Sequence, residues 1–308
     1  PRVGIMKVVV TGAGGLIGTA LVRALRDEGD EVVRLVRRAP TGPGEARWDP
    51  MGGTVDAGAL DGADAVVHLA GAGVGDRPWT EARKKEIYDS RVVGTRTLVD
   101  AITRAGTPPR VLVSGSAIGY YGDTGDTAVD ESAPLGEGFL AGLVRDWEAA
   151  AAPAADAGVR VVHPRTGLVL AANGGLLGRL LPLFRLGLGG RIGGGRQWVS
   201  WITLDDTVAA LRHLIGPDAP GDGLDGPVNL VAPRAVTNAE YTKAVGRALH
   251  RPAVLPVPAF ALRAALRGFA DEGPLISQRV VPRRLEESGF VFAHPELEGA
   301  LDAVLAGS

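Results

Sequence analysis

Residues 8–18 read Val-Val-Val-Thr-Gly-Ala-Gly-Gly-Leu-Ile-Gly, and no other stretch of the chain limits its fold as tightly. A β-branched run, Val8 to Val10, stops at glycines, and apolar residues at Ile17, Leu21 and Leu25 follow. That is a buried strand, a tight turn and an amphipathic helix. Gly12, Gly15 and Gly18 form Gly-x-x-Gly-x-x-Gly, while Gly12, Gly14 and Gly18 give a second, overlapping spacing. The first glycine permits the sharp turn. The middle ones let a pyrophosphate approach the backbone, and Gly18 lets the helix lie close on the strand. The helix N-terminus adds unpaired N–H groups and the positive end of a dipole. This predicts a dinucleotide site; the alternative is a purely structural strand-to-helix turn.

The next strand, Glu-Val-Val-Arg-Leu-Val-Arg-Arg (31–38), indicates which dinucleotide. An NAD site places an acidic residue near this strand's end, for the ribose 2′-hydroxyl. Here Val36 is followed by Arg37 and Arg38, two guanidiniums suited to a 2′-phosphate. The expected cofactor is therefore NADP(H). The alternative is that one of the arginines is only a solvated strand end.

Composition narrows the remaining choices. The 308 residues can bury a large core, and the expected organisation is one Rossmann domain with a smaller second one. A net charge of −2 argues against a nucleic-acid partner. The five histidines (68, 163, 213, 250, 294) lack metal-ligand spacing, and with no cysteine there is no thiolate nucleophile, thiolate metal site or disulfide. That fits a cytoplasmic protein. Met6 reads as a natural start, with residues 1–5 an upstream extension too weakly apolar for a signal peptide. The most apolar stretch, 167–189, is broken by Asn173, Arg179, Pro182 and Arg185, so no membrane span is expected. The expected partner is a small molecule, and the chain a monomer or homodimer.

Strand and helix patterns alternate along the chain. Strands are expected at 65–70, 110–114, 159–163 and 227–231. Helices are expected at 80–105 with Thr80 as N-cap, at 139–157, and after Asp205, with Asp205 and Asp206 as N-cap and first-turn acid. Thr237-Asn238-Ala239-Glu240 is a capping box. Such alternation predicts an α/β fold with a doubly wound parallel sheet, its ligand beyond the carboxyl ends of the strands. The NADP-binding domain would span 6–167, with 203–234 returning to it. The smaller, substrate-side domain would take 168–202 and 235–308. The glycine cluster at 187–195 is expected to form an ordered loop by the cleft, because Trp198 and Trp201 follow it. Each of those tryptophans fits either a substrate wall or a core anchor. Phe290 and Phe292 alternate around Val291 as in a half-buried strand, and core is the expected role.

Several stretches together resemble an atypical extended short-chain dehydrogenase/reductase. They include 11–18, Arg-Trp-Asp-Pro (47–50), Val-His-Leu-Ala-Gly (67–71), Ser-Arg-Val-Val-Gly-Thr (90–95) and Ser-Gly-Ser-Ala-Ile-Gly-Tyr-Tyr-Gly (114–122). Asp-Trp-Glu (146–148), Pro-Arg-Thr-Gly (164–167), Gly-Arg-Gln-Trp-Val-Ser-Trp-Ile (195–202) and Ser-Gln-Arg-Val-Val-Pro-Arg-Arg-Leu (277–285) continue the pattern. The similarity is to the NAD-dependent epimerase/dehydratase-like branch with a C-terminal domain of unknown function. It implies NADP(H), held by Thr11, Gly12, Gly14, Gly15, Leu16, Ile17 and Gly18. It also implies contacts from Leu69, Ala70 and Gly71, from Glu86 and Arg91, and from Ser114 and Pro164.

The resemblance implies a serine, a Tyr-x-x-x-Lys pair and an asparagine for chemistry. Ser116 matches the serine, as a substrate-facing hydroxyl that polarises an oxygen or as a strand-end hydrogen bond to backbone. The pair is absent: Phe-Leu-Ala-Gly-Leu-Val-Arg-Asp-Trp-Glu (139–148) has neither tyrosine nor lysine. Arg91 stands where the asparagine would be. Tyr121, rather than Tyr120, is the expected substitute proton donor. It would need a phenol pKa lowered by a nearby guanidinium; the alternative is that both tyrosines only anchor the loop. Glu86 and Arg91 either reach toward one cofactor or form a solvated pair. Three function classes fit: an NADP(H)-dependent oxidoreductase of an unidentified small molecule, a sugar-nucleotide epimerase or dehydratase, and a non-catalytic NADP(H)-binding or sensing protein.

Overall fold

A computed structural model describes residues 4–216 and 223–306. Residues 1–3 of the expected extension, 217–222 of the returning segment and the last two residues of the smaller domain lie outside the described residues. In chain order the strands are β1 (Lys7–Thr11), β2 (Glu31–Val36), β3 (Glu45–Asp49), β4 (Thr54–Val55), β5 (Ala65–His68), β6 (Val111–Ser114) and β7 (Ser116–Ala117). They continue with β8 (Ala128–Val129), β9 (Arg160–Thr166), β10 (Leu168–Leu170), β11 (Trp198–Val199), β12 (Trp201–Thr203), β13 (Gly226–Leu230), β14 (Val236–Thr237) and β15 (Arg279–Val280). The main sheet runs β13-β9-β6-β5-β1-β2-β3-β4, with β7 continuing beside β9. All its pairings are parallel except β3 with the short β4. The strand order reverses between β1 and β5, which opens the crevice that doubly wound sheets use for ligands.

The sheet is buried on both faces, which is why its strands read as unbroken apolar runs. Val8, Val10, Val67, Val111 and Val113 enter one core with Leu21 and Leu25 of α1 (Leu16–Asp27). Val9, Val66 and Leu112 enter the opposite core with Leu98 and Ile102 of α2 (Glu81–Arg104). Thr80 caps α2 as expected, its side chain accepting from the Arg83 amide. The expected helix 139–157 is instead two helices, α3 (Phe139–Ala149) and α4 (Ala152–Asp156). Proline stands in the first turn of α4, where its missing N–H is tolerated.

A second lobe forms around α5 (Gly175–Arg185), β10 paired with β12, α7 (Asn238–Ala248) and α11 (Leu297–Ala306). Trp201 is fully buried in its core and donates to the Arg234 carbonyl. Trp198 stays partly exposed, held by Asp126 and stacked on Arg279. The capping box at Thr237 is present. The 187–197 loop is ordered by backbone bonds from Gly193 to Val257 and from Val257 to Arg191. Helix α6 (Leu204–Ile215) packs on the main sheet beside α1. Its N-cap is Thr203, not Asp205; Asp206 lies in the first turn, buried, and accepts from the Ala293 and His294 amides. Helix α8 (Ala259–Leu266) leads into α9 (Phe269–Glu272), whose Phe269 packs beside Trp79 and Phe139.

Part of the tail expected in the smaller domain packs against the main sheet's core. β15 pairs with β8, α10 (Arg283–Glu287) lies against β13, and Leu285, Phe290 and Phe292 join the main core. Phe290 and Phe292 are core residues as expected, yet they sit in irregular backbone, not a strand. An edge-to-face contact between the two rings, centroids 4.9 Å apart, replaces the alternation of a pleat.

A buried polar chain ties the sheet to its helices. Thr11 Oγ1 accepts from the Leu69 and Ala70 amides and lies 2.7 Å from His68 Nδ1. With both amides donating to it, the threonine's own proton goes to Nδ1, which leaves His68 Nε2 as the donor to Thr95 Oγ1. Trp147 Nε1 donates to the same Thr95 oxygen. Burial, with Arg91 nearby, pushes the His68 imidazole down from 6.5 to about 4. Between those values the unfolded chain takes up a proton that the folded chain refuses. Stability should therefore fall as pH drops from 6.5 to 4, by about 3 kcal/mol when complete. Urea unfolding at pH 7.5 and 4.5 measures this. His68→Gln should cost stability at pH 7.5 but flatten the dependence.

Candidate functional site

The crevice is built first by what the glycines exclude. Gly12 has φ +66°, and a Cβ there would lie 2.7 Å from the Leu69 carbonyl carbon. At Gly18 a Cβ would fall on the Gly12 carbonyl oxygen. The fold itself demands both glycines. Gly14 and Gly15 differ: both are exposed and neither has positive φ. A Cβ at Gly14 would meet nothing within 4 Å, and one at Gly15 only the Gly12 carbonyl, at 3.3 Å. The fold therefore leaves open side-chain room at Gly14 and only a tight fit against backbone at Gly15, on the side where a ligand's phosphates would lie. Helix α1 begins there with no side-chain cap and no acid in its first turn, so its amides and dipole face the crevice. Leu16 and Ile17 are half-buried beneath it, and the Cβ expected at Gly174 would touch Leu16 from the second lobe.

The two arginines after β2 separate. Arg38 forms a two-point pair with Glu45, at 2.8 and 2.7 Å, and Arg34 joins the same carboxylate at 2.8 Å. The Arg38 hydrogen bonds hold the Glu45 carboxyl down to about 2. Arg37 is exposed and makes no hydrogen bond or ion pair among the described residues. Of the two arginines expected at a 2′-phosphate, Arg37 is thus free among the described residues and Arg38 is held by Glu45.

The loop after β5 closes the crevice's far side. Leu69 and Ala70 are half-buried and Gly71 is exposed. Arg91 lies against Gly71, donates to the Ala72 carbonyl at 2.8 Å and stacks on Trp147. Burial pushes its guanidinium down to about 10. Glu86 does not meet it; Arg83 donates to Glu86 at 2.7 Å and also to the Gly73 carbonyl. The reading of Glu86 and Arg91 as a solvated pair is therefore corrected: the two bracket one loop through different partners. Pro164 is buried within β9, and Ser114 is fully buried at the end of β6.

At the carboxyl edge of β6, β7 and β9 lies a polar network. Ser116 Oγ donates to Glu148 Oε1 at 2.6 Å. Arg165 clasps the same carboxylate, Nε to Oε1 and Nη2 to Oε2, both at 2.8 Å. Arg165 Nη1 donates to the Tyr121 hydroxyl at 3.1 Å, and Tyr121 donates to Asn229 Oδ1 at 2.7 Å. The guanidinium also stacks on the Tyr120 ring, 3.4 Å from its centroid. Two expectations change. Ser116 bonds a side-chain carboxylate, not backbone. Tyr121 has the neighbouring guanidinium it was expected to need, but burial outweighs it and pushes the phenol up to about 12. Its proton is directed to Asn229, so in this arrangement it serves as a buried strut. Glu148 comes from the sequence stretch 146–148 and Arg165 from 164–167; the residue types were visible, but no spacing rule couples them.

Comparison with known proteins places this architecture. A model described as NAD dependent epimerase/dehydratase family matches residues 8–223, and one described as a domain of unknown function (DUF1731) matches 257–304. The chain belongs to the NAD dependent epimerase/dehydratase family. Within that family, an epimerase family protein of Mycobacterium bovis is 49% identical over 294 residues, 96% of each chain. The crystal structure of the human epimerase family protein SDR39U1 with NADPH is 38% identical. It matches with a TM-score of 0.90 over 98% of this chain and 100% of that one. A nucleoside-diphosphate sugar epimerase from Corynebacterium glutamicum is 36% identical, with a TM-score of 0.80, over 98% of this chain and 58% of its own. Against the family's Tyr-x-x-x-Lys helix, α3 buries Ala141, Leu143, Val144 and Trp147.

Three substitutions separate these roles. Gly14→Val should abolish NADPH binding measured by cofactor fluorescence, with melting temperature little changed, because a Cβ there meets nothing within 4 Å. Arg37→Ala should weaken NADPH at least tenfold, the loss of a charge-assisted contact of about 1.5–3 kcal/mol, and leave NADH unchanged. Tyr121→Phe should lower unfolding free energy by about 1–3 kcal/mol, since it strands the Asn229 oxygen, while NADPH affinity holds.

Proposed function

We propose that this chain is an NADP(H)-dependent oxidoreductase of the atypical extended short-chain type, acting on a small molecule. The observation that carries the reading is the bare backbone at Gly14 and Gly15. The fold puts nothing against a side chain at Gly14, and both glycines border uncapped helix amides. A pyrophosphate accounts for that emptiness. Exposed Arg37 stands at the second strand's end, where a 2′-phosphate would lie. The human relative solved with NADPH supports the same cofactor. Thr11, Leu69, Ala70, Gly71, Arg91 and Ser114 would shape the rest of the cofactor's bed. When bound, the nicotinamide supplies hydride transfer; the chain binds, orients and handles the proton.

A second reading is the sugar-nucleotide epimerase, which the Corynebacterium relative's name favours. Against it stands the buried apolar face of α3 and the engaged Tyr121 hydroxyl. No nucleic acid or membrane surface enters either reading; among the described residues no helix is long and apolar enough to cross a membrane, and no acidic or histidine cluster could hold a metal.

Cofactor fluorescence during incubation with a panel of alcohols, carbonyl compounds and sugar nucleotides decides between them. Net change in NADPH is the expected result. A new sugar nucleotide without net redox change would establish the epimerase reading, and NADPH binding without turnover of any compound would remove both.

A further inference from the structure

Resting on the oxidoreductase reading, we propose that Ser116 meets the substrate as a hydrogen-bond acceptor with the Glu148 carboxylate as proton acceptor behind it, so that the substrate is a hydroxyl compound. The argument begins with Arg165, which can only donate. Its Nε and Nη2 point at the two oxygens of Glu148, so Glu148 must accept at both. Ser116 lies 2.6 Å from Oε1, within the range of an O–H···O⁻ bond, so the serine must donate there. Its single proton is then committed, and only lone pairs remain for anything in the crevice.

The same logic runs the other way from Arg165. Nη1 donates to the Tyr121 oxygen, so the tyrosine proton turns to Asn229 Oδ1. The Asn229 amide nitrogen in turn donates to the Val281 carbonyl. Every proton in this network therefore has one direction, set by one guanidinium. A carbonyl oxygen arriving at Ser116 while Glu148 is ionised would find no donor; the reverse step starts from protonated Glu148. A hydroxyl brings its own.

The step balances with the chain's residues and an oxidised nicotinamide dinucleotide. The substrate O–H breaks and its proton passes to Ser116 Oγ. The serine O–H breaks and its proton passes to Glu148. The carbinol C–H leaves as hydride to the dinucleotide, and the substrate carbon and oxygen become C=O. The substrate loses two electrons and the dinucleotide gains them. Glu148 acts only through Ser116 and is a positioning residue; Arg165 fixes its orientation.

Two measurements on the full chain saturated with NADP⁺ test this. Proton NMR should show a downfield hydroxyl resonance from the Ser116–Glu148 bond. It should be absent in S116A, which leaves the Glu148–Arg165 pair intact, and shifted upfield in E148Q. A wild type without this resonance, or an S116A protein that retains it, overturns the assignment. Secondary alcohols with NADP⁺ and their matching ketones with NADPH are then compared. Alcohol oxidation should fall 10²–10⁴-fold in S116A and in E148Q, with cofactor affinity held within a few-fold. S116A oxidising alcohols at the wild-type rate overturns the proposal. Should the resonance be present while no pair turns over, it is the oxidoreductase reading that fails, and the substrate assignment with it.

Discussion

The two-point contact between Arg165 and Glu148 organises the carboxyl edge of the sheet. Placing a guanidinium and a carboxylate in so dry a position costs desolvation, and the cost is offset only when every donor finds an acceptor. Here Nε and both Nη atoms of Arg165 are engaged, and an aromatic ring covers its face. Through those bonds β7, β9, α3 and the 3₁₀ turn at Ile118–Tyr121 are joined, and Tyr121 extends the link to β13 through Asn229. Removing one partner of such a pair leaves a buried charge and typically costs about 3–5 kcal/mol. The geometry of this edge of the crevice therefore depends on one buried ion pair.

Much of the fold was legible because parallel strands covered on both faces need continuous apolar runs, and helix ends need specific caps. Thr80 and Thr237 announced their helices through local chemistry. The glycine turn was legible for the same reason, being local. What failed was non-local. The alternation at Phe290 and Phe292 matched a strand, yet their partners, His213 and the main core, come from distant sequence. Nothing near Tyr121 pointed to Asn229, 108 residues on. The tail's partner strand, β8, is only two residues long and carries no periodic signal.

Arg38 is an instructive intermediate case. Glu45 lies only seven residues away, on the neighbouring strand, and β2 pairs with β3 in the register that brings Arg34 opposite Glu45. A reading that paired the strands before assigning ligands would have seen one arginine withdrawn. The candidate site was thus visible in residue types, while the division of labour among them required the pairing of strands.

Helix α3 starts at Gly138 without a side-chain cap of its own. Its first two amides, at Phe139 and Leu140, donate instead to the carboxylate of Glu272, at 3.0 and 2.7 Å, from α9, more than 130 residues later. Phe269, one turn earlier in that helix, rests on Trp79 beside the same spot. A helix that borrows its first-turn acceptor in this way cannot stay wound at that end if α9 is displaced, because two amides would lose their partner. Displacement of α9 and fraying of α3 would therefore be one event. The helix carries Glu148 two turns further along, so such a displacement would also loosen the bonds that direct the protons.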